Sequence, residues 1–265
     1  MEKKPFLRVA YLGDSHCQGG FGLGSLNWRN RMTAHFLNYF DIVEGHQFCS
    51  GGETIGSTMP DGFVIQPPFN SYSNANPIIG RNITAALNVN PDLILILHSG
   101  NHFANGFSLE YVKTLYTELA AIMNSAGKKF AFSTAGPRGT YFPGSDVDAY
   151  RNLCLQFNAW LIETYPDNCF DIWNELGDSE TGLPQNGLLI YDGLHYWDEG
   201  HMKMVKACIN DAFSVDEITG YDKINAQNLV FVDNGDDTIS IRFSKAQMKY
   251  LNISSSTNGI NFGQL

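Results

Sequence analysis

The sequence predicts an α/β fold in which a parallel sheet of five strands is covered by helices on both faces. Residues 93–97 are apolar at every position, which is typical of a central strand buried on both sides. Other short apolar runs alternate with segments whose apolar residues recur at helical spacing. With 265 residues and 43% hydrophobic content, the chain is also long enough to bury one substantial core.

The predicted strands follow one another at intervals that leave room for helices between them. Helical spacing is clearest at 109–122 and 150–161. A last helix is predicted at 198–213, with Asp198 as its N-cap. The five predicted strands are residues 6–12, 42–48, 93–97, 130–132 and 170–173.

After Ser214 the pattern changes to alternation at period two around an Asp-Asn-Gly turn. This predicts a β-hairpin or a three-stranded appendage at 215–265, after a main domain at 1–214. A piece of this size is too small to hold a core of its own. We therefore expect it to pack on the main domain, on a partner or on a continuation of the chain, where it could attach the protein to a larger assembly.

The charge balance argues against two classes of partner. Lys and Arg number 17 against 27 Asp and Glu, and the net charge of −10 repels nucleic-acid phosphates and anionic lipids. The N-terminus has too few apolar residues for a signal-peptide core, and no later run approaches the roughly 18 that a membrane span needs. We expect a cytoplasmic protein, or a part of a phage or cell-surface assembly.

The cysteines are widely spaced, odd in number and without a C-x-x-C pair. This pattern indicates neither a zinc knuckle nor a complete disulfide framework. They are predicted to be reduced and mostly buried: Cys17, Cys49, Cys154, Cys169 and Cys208.

Three of the predicted strands are followed by residues that could take part in catalysis. In doubly wound folds, the carboxyl ends of the strands line a crevice. Ser15 lies in a Gly-Asp-Ser turn after the first strand, Gly51 and Gly52 follow the second, and Asn101 follows the third. A serine held there with backbone N–H groups nearby suits nucleophilic attack that creates an oxyanion. Each motif by itself also fits an ordinary turn.

The stretch YDGLHYWDEGH places Asp192 three residues before His195, ahead of the last predicted helix. At this spacing the carboxylate can reach the imidazole Nδ1–H and leave Nε2 free to take a proton from a serine. A metal site would require His201 to converge with both residues, but His201 falls on the apolar stripe of the helix. A plain helix start is the remaining alternative. We expect no metal and no other cofactor.

In their order along residues 6–213, these four motifs resemble those of the SGNH hydrolases, also called GDSL esterases. The resemblance implies a flavodoxin-like α/β/α sandwich with Ser15 as nucleophile, His195 as base and Asp192 as the acid that orients it. It also implies an oxyanion hole made by the Ser15 N–H, a glycine N–H and the Asn101 amide. Gly52 is the preferred glycine, because Glu and Thr follow it as in the family, and the preceding glycine is the alternative.

Two positions depart from the family pattern. His102 follows Asn101 where the family usually has Asp, and Tyr196 follows His195 where proline is common. Neither departure removes one of the reacting groups.

The resemblance implies hydrolysis of a small-molecule or glycan ester. We favour O-deacetylation of a carbohydrate, because aromatic side chains suit sugar rings and no long apolar lid is evident. The alternatives are a lipid or aryl esterase, a thioesterase, or a carbohydrate-binding protein without catalysis on the same scaffold. The aromatic residues that could line the crevice are Trp28, Tyr141, Phe142, Tyr196 and Trp197.

Overall fold

The computed structural model describes residues 3–19, 23, 26–72, 74–139, 146–212, 230–233 and 239–242. The chain divides into two compact units, Met1–Ala212 and Phe213–Leu265. Within the part of the chain that the structure describes, no helix is both long and apolar enough to cross a bilayer.

The first unit is built on a five-stranded sheet in which every neighbouring pair is parallel. The strand order is β2-β1-β3-β4-β5, which is the flavodoxin-like order. The predicted parallel α/β fold is therefore confirmed. Because β2 and β3 lie on opposite sides of β1, the crevice opens at the carboxyl end of β1. The strands are β1 Lys4–Gly13, β2 Phe40–Cys49, β3 Leu93–Leu97, β4 Lys129–Ser133 and β5 Cys169–Phe170.

Helices cover both faces of this sheet, and the predicted segments 109–122 and 150–161 lie within two of them. On one face, the Tyr116 ring lies 4.9 Å from Phe132 and 4.8 Å from Phe157. The helices are α1 Ser15–Gln18, α2 Trp28–Phe36, α3 Ile55–Thr58, α4 Ile83–Asn88, α5 Asn101–Ala104, α6 Leu109–Ser125, α7 Val147–Thr164, α8 Ile172–Leu176 and α9 Asp198–Ala207.

Two predicted boundaries were wrong. The fifth strand ends at Phe170, because the Asp171 side chain accepts a hydrogen bond from the Asn174 N–H and starts α8. The last helix has Trp197 as its N-cap rather than Asp198, whose carboxylate pairs instead with the Arg31 guanidinium. It continues as a π-helical turn at 208–212, and residue 213 lies outside the described residues.

The prediction that all cysteines are reduced was wrong for two of them. Cys17 and Cys49 form a disulfide, whereas Cys154, Cys169 and Cys208 are free and buried. The parallel register places the last residue of β2 opposite the last residue of β1. It thereby brings together two residues that are 32 apart in sequence. The disulfide ties the helix that carries Ser15 to the end of the neighbouring strand.

In the second unit, Val230–Asp233 and Ile239–Arg242 form strands β6 and β7, which pair antiparallel. This is the pairing that the alternating pattern predicts for a hairpin. The remainder of its Asp-Asn-Gly turn and any third strand lie outside the described residues. The expected packing of this appendage stays a prediction.

Candidate active site

Ser15 is the first residue of α1, directly after β1. Gly13, the last residue of that strand, has φ +142°, and a Cβ atom there would overlap the Leu97 carbonyl oxygen. Only glycine lets the ends of β1 and β3 approach so closely. The Asp14 side chain then accepts a hydrogen bond from the His16 N–H and caps the short helix. The local sequence thus presents Ser15 at the carboxyl edge of the sheet.

Asp192 and His195 lie in a tight loop whose arms are joined by backbone hydrogen bonds, including one of 2.8 Å from the Ile190 N–H to the His195 carbonyl. One Asp192 oxygen accepts hydrogen bonds of 2.9 Å from the Leu194 and His195 N–H groups. The other lies 2.6 Å from His195 Nδ1. His195 Nε2 in turn lies 2.8 Å from Ser15 Oγ. The structure therefore brings the three residues together in one hydrogen-bonded chain.

The local electrostatics favour a neutral imidazole. Burial lowers the pKa of His195, and His16 lowers it further, against the opposing effect of Asp192. For Asp192, burial opposes ionisation, but hydrogen bonds from the His195 ring and from two backbone N–H groups lower its pKa overall. With Asp192 ionised and accepting the Nδ1 proton, Nε2 is left as the acceptor that faces the Ser15 hydroxyl.

The glycine turn after β2 lies beside Ser15. A Cβ atom added to Gly51 would lie 4.0 Å from the Ser15 Cβ, and Gly52 has φ +76°. The N–H groups of Ser15, Gly51 and Gly52 donate no hydrogen bond to any residue that the structure describes. Donors without a protein acceptor are what an oxyanion would need at this place.

The Asn101 side chain is held by hydrogen bonds at both its nitrogen and its oxygen. Its Nδ2 donates to the Glu53 carbonyl at 3.1 Å and lies 3.4 Å from Asp14 Oδ2. Its Oδ1 accepts a hydrogen bond of 2.7 Å from Arg138, a buried arginine that the sequence analysis did not single out. An incoming oxyanion would have to replace the longer contact to Asp14.

Asp14 joins the ends of two neighbouring strands, a role that the sequence analysis missed. This fully buried carboxylate accepts from the Ser99 N–H at 2.7 Å and from the Ser99 hydroxyl at 2.6 Å. Burial opposes its ionisation, but hydrogen bonds from His16 and Ser99 and attraction to His16 and His98 hold its pKa well below the ordinary range. The only sequence signal was the Gly-Asp-Ser turn itself.

No family model and no curated protein matches this chain at the level of sequence. Solved structures do match, and three of them show the shared architecture. A member of the lipolytic G-D-S-L family from Veillonella parvula aligns with a TM-score of 0.51 at 14% identity, over 76% of this chain and 96% of its own. The chain has the SGNH hydrolase fold.

The other two matches agree with this fold. The psychrotrophic esterase EstA from Pseudoalteromonas sp. aligns with a TM-score of 0.52 at 17% identity, over 77% of this chain and 95% of its own. The acetyl xylan esterase AlAXEase aligns with a TM-score of 0.53 at 17% identity, over 77% of this chain and all 100% of its own. Identities this low establish the fold alone.

His102, the residue after Asn101, contributes packing. Its ring is buried among Phe103, Tyr116 and Phe157, and neither nitrogen has a hydrogen-bond partner among the described residues. Burial lowers its pKa well below the ordinary value. The hydrogen bond to the Asn101 side-chain oxygen Oδ1 comes from Arg138 instead.

Of the aromatic residues expected to line the crevice, two of the three that the structure describes are buried. Trp28 and Tyr196 lie in the interior, where Trp28 stacks on Phe170 at 5.9 Å and the Tyr196 hydroxyl donates to the Pro137 carbonyl. Trp197 is half exposed, and residues 141 and 142 lie outside the described residues. Tyr191, next to Asp192, is 92% exposed and was not singled out from the sequence.

His201 does not join the Asp192–His195 pair. Its Nδ1 accepts a hydrogen bond of 3.1 Å from the Trp28 N–H, which connects α9 to α2. Among the residues that the structure describes, no group of three or more His, Cys, Asp or Glu side chains is arranged to hold a metal ion.

The buried carboxyl group of Glu53, next to Gly52, should make the stability of the folded protein depend on pH. Its side chain is 1% exposed, and Arg81 Nε lies 3.5 Å from one carboxylate oxygen. Burial raises its pKa from about 4.5 to about 7, with Arg81 opposing and Asp14 adding to the shift. A raised folded-state pKa gives stability that is present below pH 4.5 and lost as the pH rises through about 7. Glu53→Gln should therefore gain stability relative to wild type between pH 5 and 8.

Thermal unfolding of both proteins across this range measures the effect. Glu163→Gln, an exposed residue on α7, is the matched control and should show a constant difference from wild type. A Glu53→Gln difference that does not change with pH would show that this carboxyl group titrates as an exposed one does.

Proposed function

We propose that this protein is a serine esterase that hydrolyses carboxylic esters by acyl transfer. The observation that carries the proposal is the hydrogen-bonded chain from Asp192 through His195 to Ser15, with distances of 2.6 and 2.8 Å. A carboxylate that fixes the imidazole tautomer and an imidazole that faces a hydroxyl are the parts needed to activate a serine.

In the proposed reaction, His195 Nε2 takes the Ser15 proton as Oγ attacks the ester carbonyl. The N–H groups of Ser15 and Gly52 and the Asn101 amide donate hydrogen bonds to the tetrahedral oxyanion. Collapse of this intermediate expels the alcohol, which receives its proton from His195. Water, deprotonated by His195, then attacks the acyl-enzyme and releases the carboxylic acid and free Ser15.

Within this class we propose short acyl groups, with O-deacetylation of a carbohydrate as the natural reaction. One structure with the same fold is named an acetyl xylan esterase. Two exposed aromatic side chains, Tyr191 and Trp197, flank the Asp192–His195 segment in sequence, and aromatic faces suit sugar rings. A lipid esterase is the second candidate, because other proteins with this fold are named lipolytic.

The test compares p-nitrophenyl acetate, butyrate and octanoate, followed by acetate release from acetylated xylan and from a deacetylated control. Acetate selectivity with acetate release from xylan would support the carbohydrate reaction. Preference for octanoate would favour the lipid esterase. Absence of turnover on every ester, with binding to the glycan, would replace the esterase by a carbohydrate-binding protein.

Replacing Asn101 by alanine tests the oxyanion hole. Loss of one oxyanion donor should lower kcat by about 10²–10³-fold, because the donor acts mainly on the charge that develops in the transition state. Steady-state kinetics on p-nitrophenyl acetate measure this loss.

Asn124→Ala, which removes an exposed amide from α6, is the matched control and should keep wild-type kinetics. If Asn101→Ala kept more than a third of the wild-type kcat, Asn101 would not be an oxyanion donor.

A further inference from the structure

The residue after Ser15 is His16, at the place where the name of the G-D-S-L family has leucine. We propose that His16 is a positioning residue that links Asp14 to the backbone of the catalytic loop, defined as residues 188–197, and so holds His195 against Ser15. This inference rests on the proposed function, because it assigns His16 a part in the same reaction.

His16 contacts the catalytic loop through its backbone and through the His195 ring. His16 Nε2 lies 3.2 Å from the carbonyl oxygen of Leu194, the residue directly before His195. A carbonyl oxygen only accepts, so His16 Nε2 carries the proton in this contact. The rings of His16 and His195 are also stacked, with centroids 5.2 Å apart and an interplanar angle of 27°. His16 therefore contacts both the backbone and the ring that must meet Ser15.

His16 also contacts Asp14. His16 Nδ1 lies 3.4 Å from Asp14 Oδ1, and the side chains are 1% and 0% exposed. Asp14 is itself held by Ser99 at the end of β3. The link therefore runs from the sheet through Asp14 and His16 to the Leu194 carbonyl. This link holds the buried side of the catalytic loop, whereas Tyr191 on the same loop is exposed.

Several titratable groups surround the His16 ring. His16 Nε2 lies 3.2 Å from the Leu194 carbonyl, and Nδ1 lies 3.4 Å from Asp14 Oδ1 in a close contact that is not a hydrogen bond. Among the described residues, the other titratable groups that face or interact with His16 are His195 and Tyr196 from the catalytic loop and His201 from α9. The pKa of His195 is lowered first by burial and then by its neighbour His16.

The kinetic test uses three substitutions that separate the two contacts. The glutamine amide of His16→Gln can replace Nε2 as donor to Leu194, whereas the shorter asparagine of His16→Asn reaches only toward Asp14. His16→Leu removes both contacts. On p-nitrophenyl acetate, His16→Leu and His16→Asn should lose about tenfold to a hundredfold in kcat with KM within about twofold, and His16→Gln should recover most of kcat.

The pH profile is a readout that a purely structural role would not move. Without the His16 imidazole, which is one of the groups that lower it, the pKa of His195 should rise, so the acid limb of kcat/KM should shift to higher pH in all three variants. Wild-type kcat in His16→Leu, or equal kcat in His16→Gln and His16→Asn with an unmoved limb, would overturn the proposal. The Gln and Asn comparison still decides if His16→Leu fails to fold.

An NMR titration separates this inference from the esterase proposal. Imidazole nitrogen shifts of wild type and His16→Gln report the pKa of His195 without any substrate. If wild type hydrolyses no ester, the proposed function fails, but a higher His195 pKa in His16→Gln would still support the link. Identical His195 titrations in the two proteins would overturn the inference, even if the enzyme is active.

Discussion

Replacing Ser15 by alanine is expected to lower kcat for p-nitrophenyl acetate by about 10⁶-fold, and His195→Ala is expected to do the same. In the proposed mechanism the nucleophile and its base act as one unit, because Ser15 Oγ would be activated through the 2.8 Å contact with His195 Nε2. The double variant should therefore lose no more than either single variant. About 10³–10⁴-fold acceleration over water should remain from binding and the oxyanion hole.

Burst and steady-state kinetics on the acetate ester measure these losses, with thermal unfolding to verify that each variant is folded. Ser125→Ala, which alters an exposed serine at the end of α6, is the matched control and should keep the full rate. A Ser15→Ala protein that keeps more than a tenth of the wild-type kcat would exclude Ser15 as the nucleophile. Cumulative losses in the double variant would show that the two residues act separately.

Asp192→Asn is expected to lower kcat by about 10⁴-fold while the fold is preserved. The asparagine oxygen can still accept from the Leu194 and His195 N–H groups, as the Asp192 Oδ1 atom does at 2.9 Å. Its amide N–H₂ would then face His195 Nδ1, which must become an acceptor and move its proton to Nε2. In that tautomer His195 cannot take a proton from Ser15.

Steady-state kinetics and an imidazole NMR spectrum together test this prediction. The spectrum of Asp192→Asn should show the proton on Nε2, and the rate should fall without a matching loss of thermal stability. Asp167→Asn, an exposed residue after α7, controls for the change in net charge. An Asp192→Asn enzyme within tenfold of wild type would assign the orienting role to another group.

Local patterns in the sequence were sufficient to predict most of the fold. The segment Leu93–Leu97 is apolar throughout, and apolar residues recur at helical spacing in α6 and α7. Each pattern shows which side chains of that element are buried, so it can be recognised without the rest of the chain. Where a local pattern fits both a strand and a helix, the prediction was wrong. Ile172 and Trp173 are apolar enough for a strand, but the cap at Asp171 makes them part of a helix.

The sequence by itself also determined which residues meet at the crevice. Parallel strands end at the same edge of a sheet, so the motifs that follow β1, β2 and β3 lie close together. This can be predicted without any measured distance. The spacing of Asp192 and His195 likewise predicted their hydrogen bond, because both lie in one short loop.

Only the tertiary structure decided how this site is supported. The Cys17–Cys49 disulfide, the contact between His16 and the Leu194 carbonyl, and the contact between Arg138 and Asn101 join residues 32 to 178 positions apart. Burial of Trp28 was decided in the same way, by how α2 packs on the sheet. Such contacts depend on strand register and helix packing, which leave no periodic signal in the sequence around either partner.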